Sequence, residues 1–172
     1  MSVTTNKYEL LNITNLKVLG NICNDESSSL INVNIELNKN LNNPKTILFV
    51  KADIKTDNSL VINNVLKGYL EKGYSVITVG YMDNTLTENI SLENVSSKKE
   101  IEDILYNIKE KYDKILINSE TMSADYKTNI LANIADTSII VARAKKTKID
   151  SILMTKEYID YVGGKISGII LG

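Results

Sequence analysis

Residues 45–70 read Lys-Thr-Ile-Leu-Phe-Val-Lys-Ala-Asp-Ile-Lys-Thr-Asp-Asn-Ser-Leu-Val-Ile-Asn-Asn-Val-Leu-Lys-Gly-Tyr-Leu: an apolar strand, a polar loop and an amphipathic helix in succession. That order is the frame that carries a phosphate-binding loop in nucleotide-hydrolysing α/β proteins. The loop residues are not the ones such a loop uses. Gly-x-x-x-x-Gly-Lys-Ser/Thr works because glycines let backbone N–H groups converge on phosphate and the lysine neutralises its charge. Here Ser59 keeps the hydroxyl, but no glycine lies between Lys51 and Ser59.

Working outward, strands alternate with helices. Strands are predicted at 46–50, 75–79, 114–118, 137–142 and 166–171, each nearly continuous in apolar residues as buried parallel strands are. Between them, helical spacing places Leu60, Ile62, Val65, Leu66, Tyr69 and Leu70 on one face ended by Gly73. Ser97-Lys98-Lys99-Glu100 is a capping box opening a helix on Ile101, Ile104, Leu105 and Ile108. A short helix is expected over 123–133. Another is expected over 147–162, with Ile149, Ile152, Leu153, Tyr158 and Ile159 inward and Gly163-Gly164 as its stop.

Upstream, Asp25 or Ser27 caps a helix on Leu30, Val33, Leu37 and Leu41, and Pro44 closes that connection. Residues 16–22 form a short extended segment lying on the domain, and 81–96 form a long loop. The pattern predicts an α/β fold: a P-loop NTPase-like, doubly wound, mainly parallel sheet with helices on both faces. Residues 1–14 are a flexible N-terminal segment, and 15–172 are a single domain. Ligands of such sheets sit at the carboxyl ends of the strands, where the loops after Val50, Val79 and Ile117 converge.

Composition removes several function classes. The chain has 172 residues, a formal net charge of −1, one cysteine and no histidine. A neutral chain without a basic patch is not a nucleic-acid binder working by bulk electrostatics. Without histidine no Ser-His or Cys-His nucleophile exists, and Cys23 alone excludes an internal disulfide and a thiolate metal site. No apolar run spans a bilayer and no signal-peptide pattern begins at Met1, so a cytoplasmic chain is expected, reaching the inner face of the cell membrane only through a partner or a missing segment.

Four stretches resemble the cytoplasmic kinase domain of bacterial tyrosine kinases of capsule and exopolysaccharide synthesis, within the septum-site and plasmid-partition ATPase group. Leu19-Gly20 with Ile22 is similar to the segment that precedes that domain. Glu26, Asn34 and Ile35 fit its first-helix motif, with Ser29 and Asn32 where two arginines belong. Ser59 and Asn64 fit the spacing of its loop serine and first-helix asparagine. The run 135–144, Ala-Asp-Thr-Ser-Ile-Ile-Val-Ala-Arg-Ala, followed by Thr147, is the most specific part.

The resemblance also fixes what is changed. Asn58 stands at the catalytic lysine, and Lys55 and Asp57 stand at the two glycines. Gly80 and Met82 stand at the paired aspartates of the second strand, with Asp83 one residue out of phase. Asn118 stands at the metal-linked aspartate of the third strand. Magnesium and nucleotide phosphates want anionic oxygens and a lysine, so these losses together remove the positioning and charge stabilisation on which phosphoryl transfer depends.

The expected protein is therefore a catalytically inactive kinase-like domain acting as an interaction or regulatory module in polysaccharide biosynthesis or export. Its implied partner is a membrane chain-length regulator or polysaccharide-export protein. No cofactor, metal or catalytic residue is expected, and loss of both arginines implies a monomer or weak dimer rather than a ring. Met1 directly before the domain suggests a separate subunit or an excised piece. Tyr158 and Tyr161 fit a helix better than a phosphorylated tail.

The vestigial site comprises Asp53, Lys55, Asp57, Asn58, Ser59, Asp83, Asn118 and Arg143. Within it, Ser59 is expected as a helix N-cap, Asp53, Lys55 and Asp57 as a solvated turn, and Arg143 either as a contact to a base or neighbouring subunit or as a solvated strand-end residue. Two alternatives remain: a divergent ATP- and magnesium-dependent tyrosine kinase or NTPase using Ser59, Asp83 and Asp113, and a partner-binding subunit akin to the partition ATPases.

Overall fold

A computed structural model describes residues 7–22, 31, 35, 43–80 and 86–172. Its elements are α1 (Lys7–Thr14), β1 (Val18–Asn21), β2 (Thr46–Lys51), α2 (Ser59–Glu71), β3 (Val76–Val79), β4 (Asn89–Ile90), α3 (Lys98–Lys109), β5 (Lys114–Asn118), α4 (Tyr126–Ile134), β6 (Thr137–Ala142), α5 (Ile149–Tyr161) and β7 (Ile166–Leu171). The strands form one sheet in the order β1-β7-β6-β2-β5-β3-β4, and every pairing is parallel. The predicted α/β doubly wound architecture is the observed one.

Strand alternation sorts the core into two layers. Ile47 and Phe49 of β2 pack with Val61, Val65 and Tyr69 of α2 on one face. Leu48 and Val50 turn to the other face, against Ile101 and Leu105 of α3, Leu131 of α4 and Ile152 of α5. With both faces covered, the inner strands have no water-facing side, which is why their sequences read as nearly continuous apolar runs.

From β2 the chain crosses to β3 and returns to β5 on one side, then passes to β6 on the other. The carboxyl end of β2 is thus flanked by crossovers that diverge, where doubly wound sheets open a crevice. The opposite edge is tied shut. Asp136 accepts from the backbone N–H groups of Lys45 and Thr46, each at 2.9 Å, joining the starts of β2 and β6. Burial alone would raise its carboxyl, but those two N–H groups and the nearby Lys109 outweigh it and hold it below the ordinary value.

Ser97 caps α3 as expected, with the Glu100 N–H donating to Ser97 Oγ at 3.2 Å; the Glu100 carboxylate reaches back to the Ser97 hydroxyl at 2.9 Å and the Ser96 N–H at 3.2 Å. Several expectations are corrected. Ser59 is not an N-cap but the first residue of α2, with Asn58 at the cap position and no side-chain cap bond from it. Leu60 and Tyr158, expected inward, are exposed, because α2 turns Val61 inward and α5 buries Thr155 instead.

Residues 16–22 do not merely lie on the domain: β1 joins the sheet beside β7. Gly168 makes room for it, since a Cβ there would strike the Lys17 carbonyl oxygen and the Leu19 side chain. Residues 7–14, for which no regular element was expected, form α1 with Leu10 fully buried. Residues 89–90, expected as loop, add the edge strand β4 beside β3. Ile31 and Ile35 are helical and fully buried, one turn apart. Leu30, Val33, Leu37 and Leu41, Cys23, Glu26, Met82 and Asp83 lie outside the described residues.

Candidate functional site

Residues 52–58 leave β2 at the crevice, and their backbone does not build a phosphate cradle. A nest of N–H groups needs residues in the left-handed region. The described non-glycine residues with positive φ are Asn15, Asn43 and Lys145, none of them in this loop. The loop instead closes on its own aspartates. The Lys55 N–H donates to Asp53 Oδ1 and the Ser59 N–H donates to Asp57 Oδ1, each at 2.9 Å. These are two successive Asx turns, which Asp forms by bonding its own backbone two residues on. The Asp57 carboxylate therefore sits on an N–H group at the start of α2, where an anion would otherwise bind. Ser59 holds that carboxyl below its ordinary value, first through its N–H and then through its hydroxyl.

Asn58 points the other way, into the protein. It is fully buried, and its Nδ2 lies 3.0 Å from each of Phe49 O, Asn118 Oδ1 and Ser119 O. One side-chain amide thereby joins the loop after β2 to the ends of β2 and β5. Asn118 in turn closes on the end of β3. Gly80 has φ +98°, and a Cβ on it would land on the Asn118 carbonyl oxygen. Three separate strand ends thus bring Asn58, Gly80 and Asn118 into one packed, uncharged unit.

Beside this unit lies a cavity of about 490 Å³, lined among others by Lys51, Asp57, Gly80, Asn118, Glu120 and Lys127. Its lysines are engaged. Lys51 Nζ donates to both oxygens of Glu120 at 2.9 and 3.0 Å, and Lys127 Nζ donates to Leu92 O at 2.7 Å. Asp125 caps α4 by accepting from the Lys127 N–H at 2.9 Å.

On the far side of the loop, Asp53 is only partly exposed. Arg143 Nη2 donates to it at 3.1 Å and the Thr147 hydroxyl at 2.5 Å, while Thr147 Oγ1 also accepts from the Arg143 N–H at 2.8 Å. Burial would raise the Asp53 carboxyl, but the Thr147 hydroxyl, the Lys55 N–H and the Arg143 charge outweigh it and hold it low. Arg143, the chain's single arginine, clasps the loop after β2 to the loop after β6.

The structure thus gathers Asp57, Asn58, Ser59 and Asn118 at the crevice, pairs Asp53 with Arg143 beside it, and leaves Lys55 exposed. Asp113 is elsewhere. It accepts from the Ser75 N–H and hydroxyl at 2.8 and 2.7 Å, at the starts of β3 and β5. A five-residue strand is about 15 Å long, so Asp113 cannot act together with Ser59. Lys51, Glu120, Asp125, Lys127 and Thr128 complete the cavity. Lys51 and Lys127 were not singled out in the sequence because nothing local marks a lysine whose partner is tens of residues away. Among the described residues, no cluster of three or more His, Cys, Asp or Glu side chains could hold a metal ion.

An all-parallel doubly wound sheet with a loop and helix leaving its central strand at the switch point is an architecture that phosphate-loop α/β domains share with other nucleotide-binding folds. Within that type, the fold is that of bacterial tyrosine kinase domains. Similar solved structures are the kinase domain of Escherichia coli tyrosine kinase ETK, at 11% identity and TM-score 0.79, covering 96% of this chain and 93% of that one; the BceF tyrosine kinase domain, at 13% and 0.78, covering 99% and 98%; and the chimerical protein CapA2B2, at 12% and 0.79, covering 96% and 98%. At these identities the likeness is one of fold. No family model and no curated protein matches the chain.

Proposed function

We propose that this chain is a kinase-like domain that does not transfer phosphate, acting as an interaction or regulatory module in polysaccharide biosynthesis or export. The observation that carries the proposal is the way the loop is closed: Asp57 bonds the start of α2, and Asn58 is spent on Asn118. Phosphoryl transfer is almost wholly positioning and electrostatic stabilisation of the transferred group. A carboxylate at the anion position repels phosphate, and an amide at the lysine position supplies no charge. The residues present do not fit a magnesium–nucleotide complex. The alternative enzyme built on Ser59, Asp83 and Asp113 is opposed by the place of Asp113 at the amino end of β5, the end away from the crevice.

In the family the sequence resembles, the cytoplasmic domain is coupled to a membrane chain-length regulator, and such a regulator or a polysaccharide-export protein is the proposed partner. The domain would then work at the inner face of the membrane through that partner, as a monomer or weak dimer. No described helix is long and apolar enough to cross a membrane.

Calorimetric titration with ATP, with and without magnesium, tests the reading. No detectable heat at millimolar ATP is expected. Micromolar, magnesium-dependent binding would overturn it. Sedimentation of an untagged sample as a stable octamer would overturn the predicted oligomeric state.

A further inference from the structure

The cavity beside Asn118 has an unusual balance of charge for the crevice of such a fold. Four carboxylates line it, Asp57, Glu93, Glu120 and Asp125, against the two ammonium groups of Lys51 and Lys127. Its positive features are already answered from within. Glu120 holds Lys51, carbonyl oxygens of Leu92 and Glu93 hold Lys127, and one N–H at the start of each of α2 and α4, that of Ser59 and that of Lys127, is bonded by Asp57 and Asp125. Among the described residues, both lysines that line the cavity are hydrogen-bonded, and an entering anion meets an excess of two negative charges.

A second feature points to a ligand. Thr128 lines the cavity from the first turn of α4 and is 1% exposed, yet its hydroxyl has no hydrogen-bond partner among the described residues. A buried hydroxyl without a partner costs stability in the free protein, and a bound polar group would relieve that cost.

We propose that this cavity receives a primary ammonium or guanidinium group, carried by a basic side chain of a partner protein or by a free polyamine. Carboxylate oxygens left over from the Asp57 turn and the Asp125 cap, together with Glu93, provide the counter-charge, and the Thr128 hydroxyl provides a neutral acceptor at the wall. The inference rests on the reading that the crevice does not take nucleotide, and it names the chemistry of what takes its place.

The test is a ¹⁵N NMR titration of the full chain at fixed ionic strength with spermidine, with a lysine- and arginine-rich peptide, with the same peptide acetylated on its lysines and citrullinated at its arginines, and with ATP. Saturable shifts at Gly80, Asn118 and Thr128 are expected with the two cationic probes only, and the tighter of the two identifies the source of the group. Glu93→Gln with Asp125→Asn keeps the helix cap, since Asn caps as Asp does, and should weaken binding by about fivefold for two lost charges.

Thr128→Val should leave the free protein at least as stable while weakening the cation, because no internal bond is lost. Shifts that spread over the whole acidic surface, that never saturate, or that are unchanged in the double variant would overturn the site. So would a loss of stability in Thr128→Val. If ATP binds, the non-nucleotide reading falls and this inference with it; if neither ATP nor cations bind, this inference alone falls.

Discussion

Asn58 donates from its side-chain amide to the side-chain carbonyl of Asn118 at 3.0 Å, across the gap between the first turn of α2 and the end of β5. In the resembling family these two positions are a lysine and an aspartate, a cation and an anion. Here both are neutral and joined by that bond, while Asn58 Oδ1 is buried without a partner among the described residues. A charged side chain at the fully buried position 58 would lack a counter-charge while residue 118, partly exposed at the crevice, stays neutral.

Asn58→Lys alone should destabilise the fold by about 3–5 kcal/mol, the range for a buried charge lacking its partner. Adding Asn118→Asp should recover part of that loss through a coupling of about 1–3 kcal/mol. Urea unfolding of the two single variants and the double variant measures the coupling, and additive losses would show that the positions do not communicate.

Gly80→Ala should cost at least about 2 kcal/mol, because a side chain is strained at positive φ and its Cβ meets the Asn118 carbonyl. Gly80→Asp meets the same contact, so restoring the family's acid at this position should lower stability without creating a metal site. Thermal melts with and without millimolar magnesium check both statements.

Acid should loosen the clasp between the loops after β2 and β6. The Asp53 carboxyl is held below its ordinary value of 3.8 in the folded chain, so its contribution is complete above that value and is lost as pH falls through the lower folded value. Asp57 and Asp136 shift in the same direction. Asp53→Asn should cost about 1 kcal/mol at neutral pH, discounted for partial exposure of the pair, and the variant should lose less stability than the parent between pH 5 and pH 2, a span of about three units around the carboxylate range. Denaturant midpoints across that range give the slope.

Ser97→Ala should cost about 1 kcal/mol, the usual loss on removing a helix N-cap. The loss should appear in hydrogen exchange as faster opening of the first turn of α3. Ser59→Ala should cost much less, since Ser59 is not the cap of α2. An equal loss at the two serines would contradict the cap assignments.

The elements that the sequence carried best are those whose signal is local. The Ser97–Glu100 box lies within one helical turn, and the runs of β2, β5, β6 and β7 are apolar because both of their faces are covered. β1 and β4 were not legible as strands of the sheet. Each sits at an edge, β4 is two residues long, and β1 depends on the bare backbone of Gly168 to dock. Within the candidate site, the identities of Asp57, Asn58 and Asn118 stood out because they violate a known pattern, whereas their directions did not follow from it.

The sequence alone determined the parallel doubly wound class, the place of the crevice, and the absence of the glycines and lysine that a phosphate loop needs; each follows from periodicity or from residue type. The tertiary structure decided what the altered residues do instead. Asn58 turns inward to Asn118, Asp57 turns back onto α2, and Asp53 takes Arg143 from ninety residues away. Hydrogen-bond partners that distant in sequence are chosen by the closing of the sheet, and no local pattern encodes them.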